Sequence, residues 1–160
     1  MTKLDANAEP ALSGIRSAQA LFARLPPPAA LAGCWRAEFV GPGWLRRLAP
    51  LGMRLSPLYG WRGKRFDAEG QGLNLVLRGG RVRGLVPMRQ QVRASRLDGR
   101  PVLASEYPAD APLLLRGVAD EFRQLRSDCL LGLMTIDRPG LRGLALPFLL
   151  HRVADEAALV

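Results

Sequence analysis

The chain has 160 residues, 48 % of them hydrophobic, and a formal net charge of +9. That length suits one domain with a sizeable core. No uninterrupted apolar run approaches the roughly 18 residues of a membrane-spanning helix, and two cysteines with one histidine supply neither a disulfide framework nor a metal-ligand cluster.

Residues 1–10 are polar and are read as disordered. Lys3 is followed by Asp5 and Glu9 with no apolar core behind them, which is not the pattern of a secretory signal. A cytoplasmic location is expected, with Cys34 and Cys129 as reduced, buried thiols. Residues 11–28 form a helical extension and a connector. Leu12, Ile15, Ala18, Leu21, Phe22 and Leu25 follow helical spacing. Pro26-Pro27-Pro28 then ends the helix.

The remaining residues, 29–160, are read as a β-barrel domain. In Gly33–Phe39, Trp35, Ala37 and Phe39 alternate with Cys34, Arg36 and Glu38, the period of a strand. Gly41-Pro42-Gly43 is a turn, and Trp44 to Leu51 reads as a short helix cut by Pro50 and Gly52. Such a helix suits either a lid over a barrel mouth or an element packed on the sheet's outside. After it the pattern is β. Trp61–Phe66 is one strand, and Leu73, Leu75 and Leu77 alternate with Asn74, Val76 and Arg78 in the next. Gly79-Gly80 is a hairpin signal. Arg81–Val86 returns, Pro87 breaks or bulges the run, and Met88–Leu97 continues it. Asp98-Gly99 turns into Pro101–Tyr107. Leu113–Arg116, Val118–Arg126, Leu130–Ile136 and Leu144–Val153 complete about eight or nine strands. A meander of hairpins protects its edges best by closing on itself. The fold class is therefore all-β: an antiparallel barrel with an N-terminal helix and a short helix after the first strand.

Three groups of residues carry a resemblance. They are Gly33-Cys34-Trp35-Arg36-Ala37; Gly60-Trp61 through Gly63-Lys64 to Phe66; and Tyr107 to Pro112, Asp120 to Arg123, Leu130 to Met134 and Phe148 to Arg152. Together, over residues 30–153, they resemble the lipocalin-like family named for its Gly-x-Trp-x-Gly sequence, which has no agreed activity. Ala37 stands where the family pattern has its second glycine. The wider lipocalin-like barrels imply an arginine after the last strand packed on the first-strand tryptophan. Arg152 is placed to meet Trp35 in this way, beside Gly33, as a structural closure.

Three functions are weighed. The first is binding of a small hydrophobic or amphipathic molecule inside the barrel. Candidate lining residues are Trp35, Phe39, Trp61, Leu75, Met88, Val92, Tyr107, Phe122, Met134 and Phe148, unless those side chains fill the interior completely. Arg123 is the candidate for gripping an acidic head group, with a surface ion pair as the alternative. The second is a cofactor-independent enzyme in the same cavity, with His151, Asp120, Glu121 and Tyr107 as candidate acids and bases. His151 has the opposite parity to Phe148 and Leu150, so it faces solvent if they face inward. No Gly-x-Ser-x-Gly occurs, and no cofactor motif is found. The third is a basic surface for polyanions or anionic membranes. Seven arginines fall between Arg78 and Arg100 against one acid, Asp98. No aromatic lies between Phe66 and Tyr107 to stack on bases, so no specific nucleic-acid partner is expected. Oligomeric state is not legible.

Overall fold

The computed structural model describes residues 8–29 and 31–160. The expectation of disorder over residues 1–10 falls largely outside them. Ala8–Ala11 makes one helical turn, α1, and Ile15–Arg24 forms α2. Eight strands follow: β1 Gly33–Phe39, β2 Trp61–Phe66, β3 Gln71–Arg78, β4 Arg81–Ala94, β5 Pro101–Glu106, β6 Val118–Arg126, β7 Cys129–Ile136 and β8 Ala145–Val153. They close in sequence order into one antiparallel barrel. The seam is β1 against β8, from Cys34 opposite Val153 to Phe39 opposite Phe148. No helix among the described residues is long and apolar enough to cross a membrane.

Helix α3 runs Gly43–Arg54, past Pro50 and Gly52. Leu113–Leu115, read as strand from its composition, is a single 3-10 turn. β4 is continuous through Pro87, which stands at a bulge. Leu73 pairs with Pro87 but Asn74 with Leu85, leaving Val86 as the extra residue at φ +52°. A proline without an N–H is tolerated at such a break in the ladder. Gly79-Gly80 turns the β3–β4 hairpin with φ of +57° and +73°, a two-residue turn that only residues free to adopt positive φ supply cheaply.

Two apolar layers result from the alternation. Inside the barrel, Trp35, Phe66, Met88, Leu103, Phe122, Leu130, Phe148 and Leu150 pack together. Outside, α2 lays Ala18 and Phe22 over Val102, Cys129, Leu131, Leu133 and Leu149. The segment is also tied down by hydrogen bonds: the Gln19 side-chain amide donates to the Ala145 carbonyl at 3.1 Å, and the Gln124 N–H to the Pro26 carbonyl at 2.8 Å. The outer wall is thus apolar where a helix covers it, which explains near-continuous apolar runs in β7 and β8.

One end of the barrel is closed by side chains. The Arg152 guanidinium lies 4.8 Å from the Trp35 ring centroid and donates to the Ala32 carbonyl at 3.1 Å. The Trp35 indole N–H donates to the Leu31 carbonyl at 3.0 Å. At Gly63 the neighbouring strand comes so close that a Cβ would meet the Trp35 carbonyl oxygen at 1.9 Å. No side chain fits there.

Candidate functional site

The other end holds a cavity of about 340 Å³. Five of its lining residues, Leu45, Leu48, Ala49, Gly52 and Met53, come from α3. Of the two placements open to this helix, the structure has the one at the barrel mouth. Most of the wall is apolar. Phe39, Trp61 and Phe148 form a chain of tilted and edge-to-face contacts with centroids 5.7 Å apart, and Phe148 passes it to Phe122 at 5.9 Å and Phe122 to Phe66 at 6.5 Å. The upper rings face the cavity and the lower rings belong to the packed interior. Such offset geometries match the ring quadrupoles.

One polar cluster interrupts this wall. Lys64 of β2, Asn74 of β3, Tyr107 just after β5 and Asp120 of β6 all line the cavity. Lys64 Nζ donates to Asp120 Oδ2 at 2.8 Å and to Asn74 Oδ1 at 2.9 Å, and lies 3.6 Å from Met88 Sδ. Those three partners occupy its three protons. Asn74 Nδ2 donates to the Tyr107 hydroxyl at 3.1 Å and to the Val86 carbonyl at 3.3 Å. The strained Val86 therefore turns its carbonyl toward the cluster. Strained backbone tends to collect at such sites.

Lys64 and Asp120 are nearly inaccessible, at 1 % and 5 %. Burial works against the Lys64 charge, but Asp120 and Tyr107 outweigh it and hold the ammonium above its ordinary pKa. Burial likewise lifts the Tyr107 phenol above its ordinary value, opposed by Lys64. At neutral pH the cluster thus contains an ammonium and a neutral phenol. The amide of Asn74 is fully engaged. Among the described residues no acceptor takes the Tyr107 hydroxyl proton, and Asp120 retains lone pairs beyond its one lysine contact. The Trp61 indole N–H is also buried without an acceptor. The site therefore offers the Tyr107 O–H, the unpartnered Trp61 N–H and one carboxylate acceptor in an otherwise apolar hollow.

Of the residues proposed from sequence, Phe39, Trp61, Tyr107, Met134, Phe148 and Asp120 line the cavity. Trp35, Met88 and Phe122 point inward but belong to the packed interior. Three placements must be corrected. Leu75 sits on the outer wall with Cys34 and Leu159. Val92 is 71 % exposed, because beyond Arg89 the strand β4 has lost β3 and is flanked by β5 alone. Arg123 alternates with the inward Phe122 and so faces outward. It is buried beneath α2, 4.6 Å from the Phe22 ring, bidentate to Asp98 at 2.7 and 2.9 Å. Its role there is to bind α2 and the β4–β5 turn to the wall. His151 is outside as well, with Nε2 2.7 Å from Glu38 Oε2, and takes no part in the cavity. Glu121 is buried on the outer wall, where Arg93, Ser95 and the Arg96 N–H satisfy it.

Sequence reasoning missed Lys64 and Asn74. In β3 the leucines attract attention as the core row, whereas the inward row is Gly72, Asn74 and Val76. One signal existed. Lys64 is one of only two lysines among 23 basic residues, and it shares parity with Phe66.

No family model matches the sequence, and no curated protein matches it. Among solved structures, a protein from Thermomonospora curvata superposes with a TM-score of 0.63 over 87 % of each chain at 23 % identity. That likeness shows the fold: a closed, eight-stranded antiparallel barrel.

Proposed function

We propose that the barrel binds a small, predominantly apolar molecule carrying one neutral hydroxyl or carbonyl group. The observation that supports this reading is the single polar cluster set in an otherwise apolar cavity, with its Tyr107 proton and Asp120 lone pairs uncommitted. A buried ion pair is poor value as a stabilising device, because two desolvated charges regain little over a well-packed apolar pair. Its retention beside a hollow is better explained by recognition. The Asp120 carboxylate balances Lys64, so an acidic head group would meet an anion without a spare cation. An alcohol instead accepts from Tyr107 and donates to Asp120. A volume near 340 Å³ lies at the small end of ligand sites.

The test is displacement of the neutral fluorophore N-phenyl-1-naphthylamine by decanol and by decanoate. Decanol is expected to displace it at least tenfold more effectively. Tyr107→Phe is expected to weaken decanol by about five- to tenfold, the worth of one hydrogen bond. Ala49→Trp, which fills the cavity from α3, is expected to abolish binding while leaving the fold intact. Fluorophore binding that survives Ala49→Trp unchanged would overturn the reading.

A second reading is an enzyme that moves a proton on such a ligand. It is favoured by the meeting of Asp120, Tyr107 and Lys64 at one point of the cavity. Asp120 would act as base and Tyr107 as the donor to the developing oxyanion. Deuterium exchange beside the carbonyl of a bound ketone, lost in Asp120→Asn, would support it. Absence of exchange in a ketone shown to bind would remove it.

A further inference from the structure

The apolar residues that the fold leaves exposed are not scattered. Among the described residues, nine of the eleven large hydrophobic residues with exposed side chains lie in three segments: 44–59, which itself lines the cavity, and 113–114 and 141–144, which stand just before the lining residues Leu115 and Leu146. On α3 they form a stripe. Trp44, Leu48, Leu51 and the following Leu55 recur at i, i+4, i+7 and i+11 and are 56, 54, 52 and 85 % exposed. Leu113 and Leu114, 68 % and 56 % exposed, sit beside the lining residue Leu115. The helix has a second apolar side, Leu45 and Ala49, which faces the cavity.

The charge on the helix itself is of one sign. Helix α3 carries Arg46, Arg47 and Arg54, all exposed, and no acidic residue. Arg47 and Arg54, seven apart, run along one edge of the stripe. Arg116, also exposed, adjoins the Leu113–Leu115 turn. Tryptophan and leucine on one face with arginines beside them is the composition of a helix lying in a membrane interface. Arginines near an anionic bilayer each add attraction that salt weakens.

We propose that α3 and the Leu113–Leu114 turn dock the barrel mouth on an anionic lipid bilayer. The occupant is the bilayer, chosen over a protein because the helix that carries the stripe bears three exposed arginines and no acidic residue. Docking sets the cavity mouth against the hydrocarbon, where an apolar ligand would be exchanged without crossing water. The docking itself stands apart from the ligand reading and is tested without any ligand.

The experiment uses the full chain and vesicles of phosphatidylcholine alone or with phosphatidylglycerol. Sedimentation with the mixed vesicles, a blue shift in emission absent from Trp44→Phe, and loss of both in Leu51→Glu/Leu55→Glu are expected. Arg46→Glu/Arg47→Glu is expected to weaken partitioning by at least about 30-fold. Equal binding to neutral vesicles, or binding that survives Leu51→Glu/Leu55→Glu, would overturn the proposal. So would a wild-type dimer that Leu51→Glu/Leu55→Glu converts to monomer without any vesicle binding, since the stripe would then belong to a second copy of the chain. Fluorophore displacement by decanol in the Leu51→Glu/Leu55→Glu protein, free of vesicles, reads the cavity separately. Retained displacement with lost docking shows that the two functions are separable.

Discussion

The two ends of the barrel solve opposite problems with the same strands. At the closed end Trp35 is fully surrounded: Arg152 covers its ring, Leu31 takes its N–H, and Leu130 and Phe66 pack in the same interior cluster. At the mouth the inward rows present Lys64, Asn74 and Asp120, and the space above them is left to α3 and a cavity. The closed end gains free energy from burial. The mouth retains two buried charges that an apolar replacement of similar volume would make unnecessary. One end specifies that the barrel exists, and the other departs from optimal packing where a ligand would sit.

Truncations at the two ends should therefore differ in kind more than in size. Trp35→Ala is expected to cost about 3–5 kcal/mol in urea unfolding, the range for deleting a buried aromatic, while N-phenyl-1-naphthylamine affinity of the folded fraction stays unchanged. Asp120→Ala is expected to cost a similar ~3–5 kcal/mol, because it leaves the Lys64 ammonium buried without its counter-charge. The double variant Lys64→Met/Asp120→Leu separates the two cases. It is expected to be as stable as wild type or up to about 4 kcal/mol more stable, yet to lose its preference for decanol over decanoate. A double variant as unstable as Asp120→Ala would show that the cluster is there for folding, and the contrast between the ends would collapse.

The closed end was the legible one. The resemblance supplied the distant partner, implying an arginine after the last strand for Trp35, and the structure packs that guanidinium against Gly33, where a Cβ would lie 3.1 Å from Arg152 Nη1. The antiparallel strand order was legible, at eight or nine strands, because the tight hairpins such as Gly79-Gly80 and Asp98-Gly99 carry their own turn residues and the alternation restarts after each; the extra strand expected over Leu113–Arg116 is the 3-10 turn. The polar cluster is non-local. Lys64, Asn74, Tyr107 and Asp120 come from four strand segments, and only barrel closure sets which row of each faces in. In β3 that choice runs against apolar count, because the outer leucine row is itself covered, Leu75 by the C-terminal turn that carries Leu159. Arg123 entered the list of head-group candidates through the Asp120–Arg123 stretch of the resemblance, which carries no information about which side of the wall it faces. Its burial is real, but on the wrong side of Phe122.

Gly132→Ala probes the boundary between the two ends. A Cβ there would stand 2.5 Å from Phe148 Cζ, and that ring is held between Trp61 and Phe122. The added methyl has no room, so a cost of about 1–3 kcal/mol is expected. Phe148 also lines the cavity, so the displaced ring should weaken fluorophore binding as well. A stability loss with unchanged binding would mean that Phe148 serves the packed end alone.

The smallest effect is expected at the seam shared by both ends, where Trp35–Arg152 closes β1 to β8 on the inside and Glu38–His151 on the outside. Cys129, opposite in the β7–β8 register, and Glu38 hold the imidazolium, raising His151 from 6.5 to about 9. A pKa raised by folding means that the protonated form favours the folded chain. The stabilisation is therefore full below pH 6.5 and is lost as pH rises to 9. It should amount to about 1 kcal/mol after screening at this half-buried site. His151→Gln should flatten the decline in urea stability across that window. Lys64 and Tyr107 are both pushed above ordinary values of 10.5 and 10.0, so they do not titrate there. A decline that persists in His151→Gln but disappears in Lys64→Met would place the titrating group in the cavity, and the mouth would then be the pH-sensitive end of the barrel.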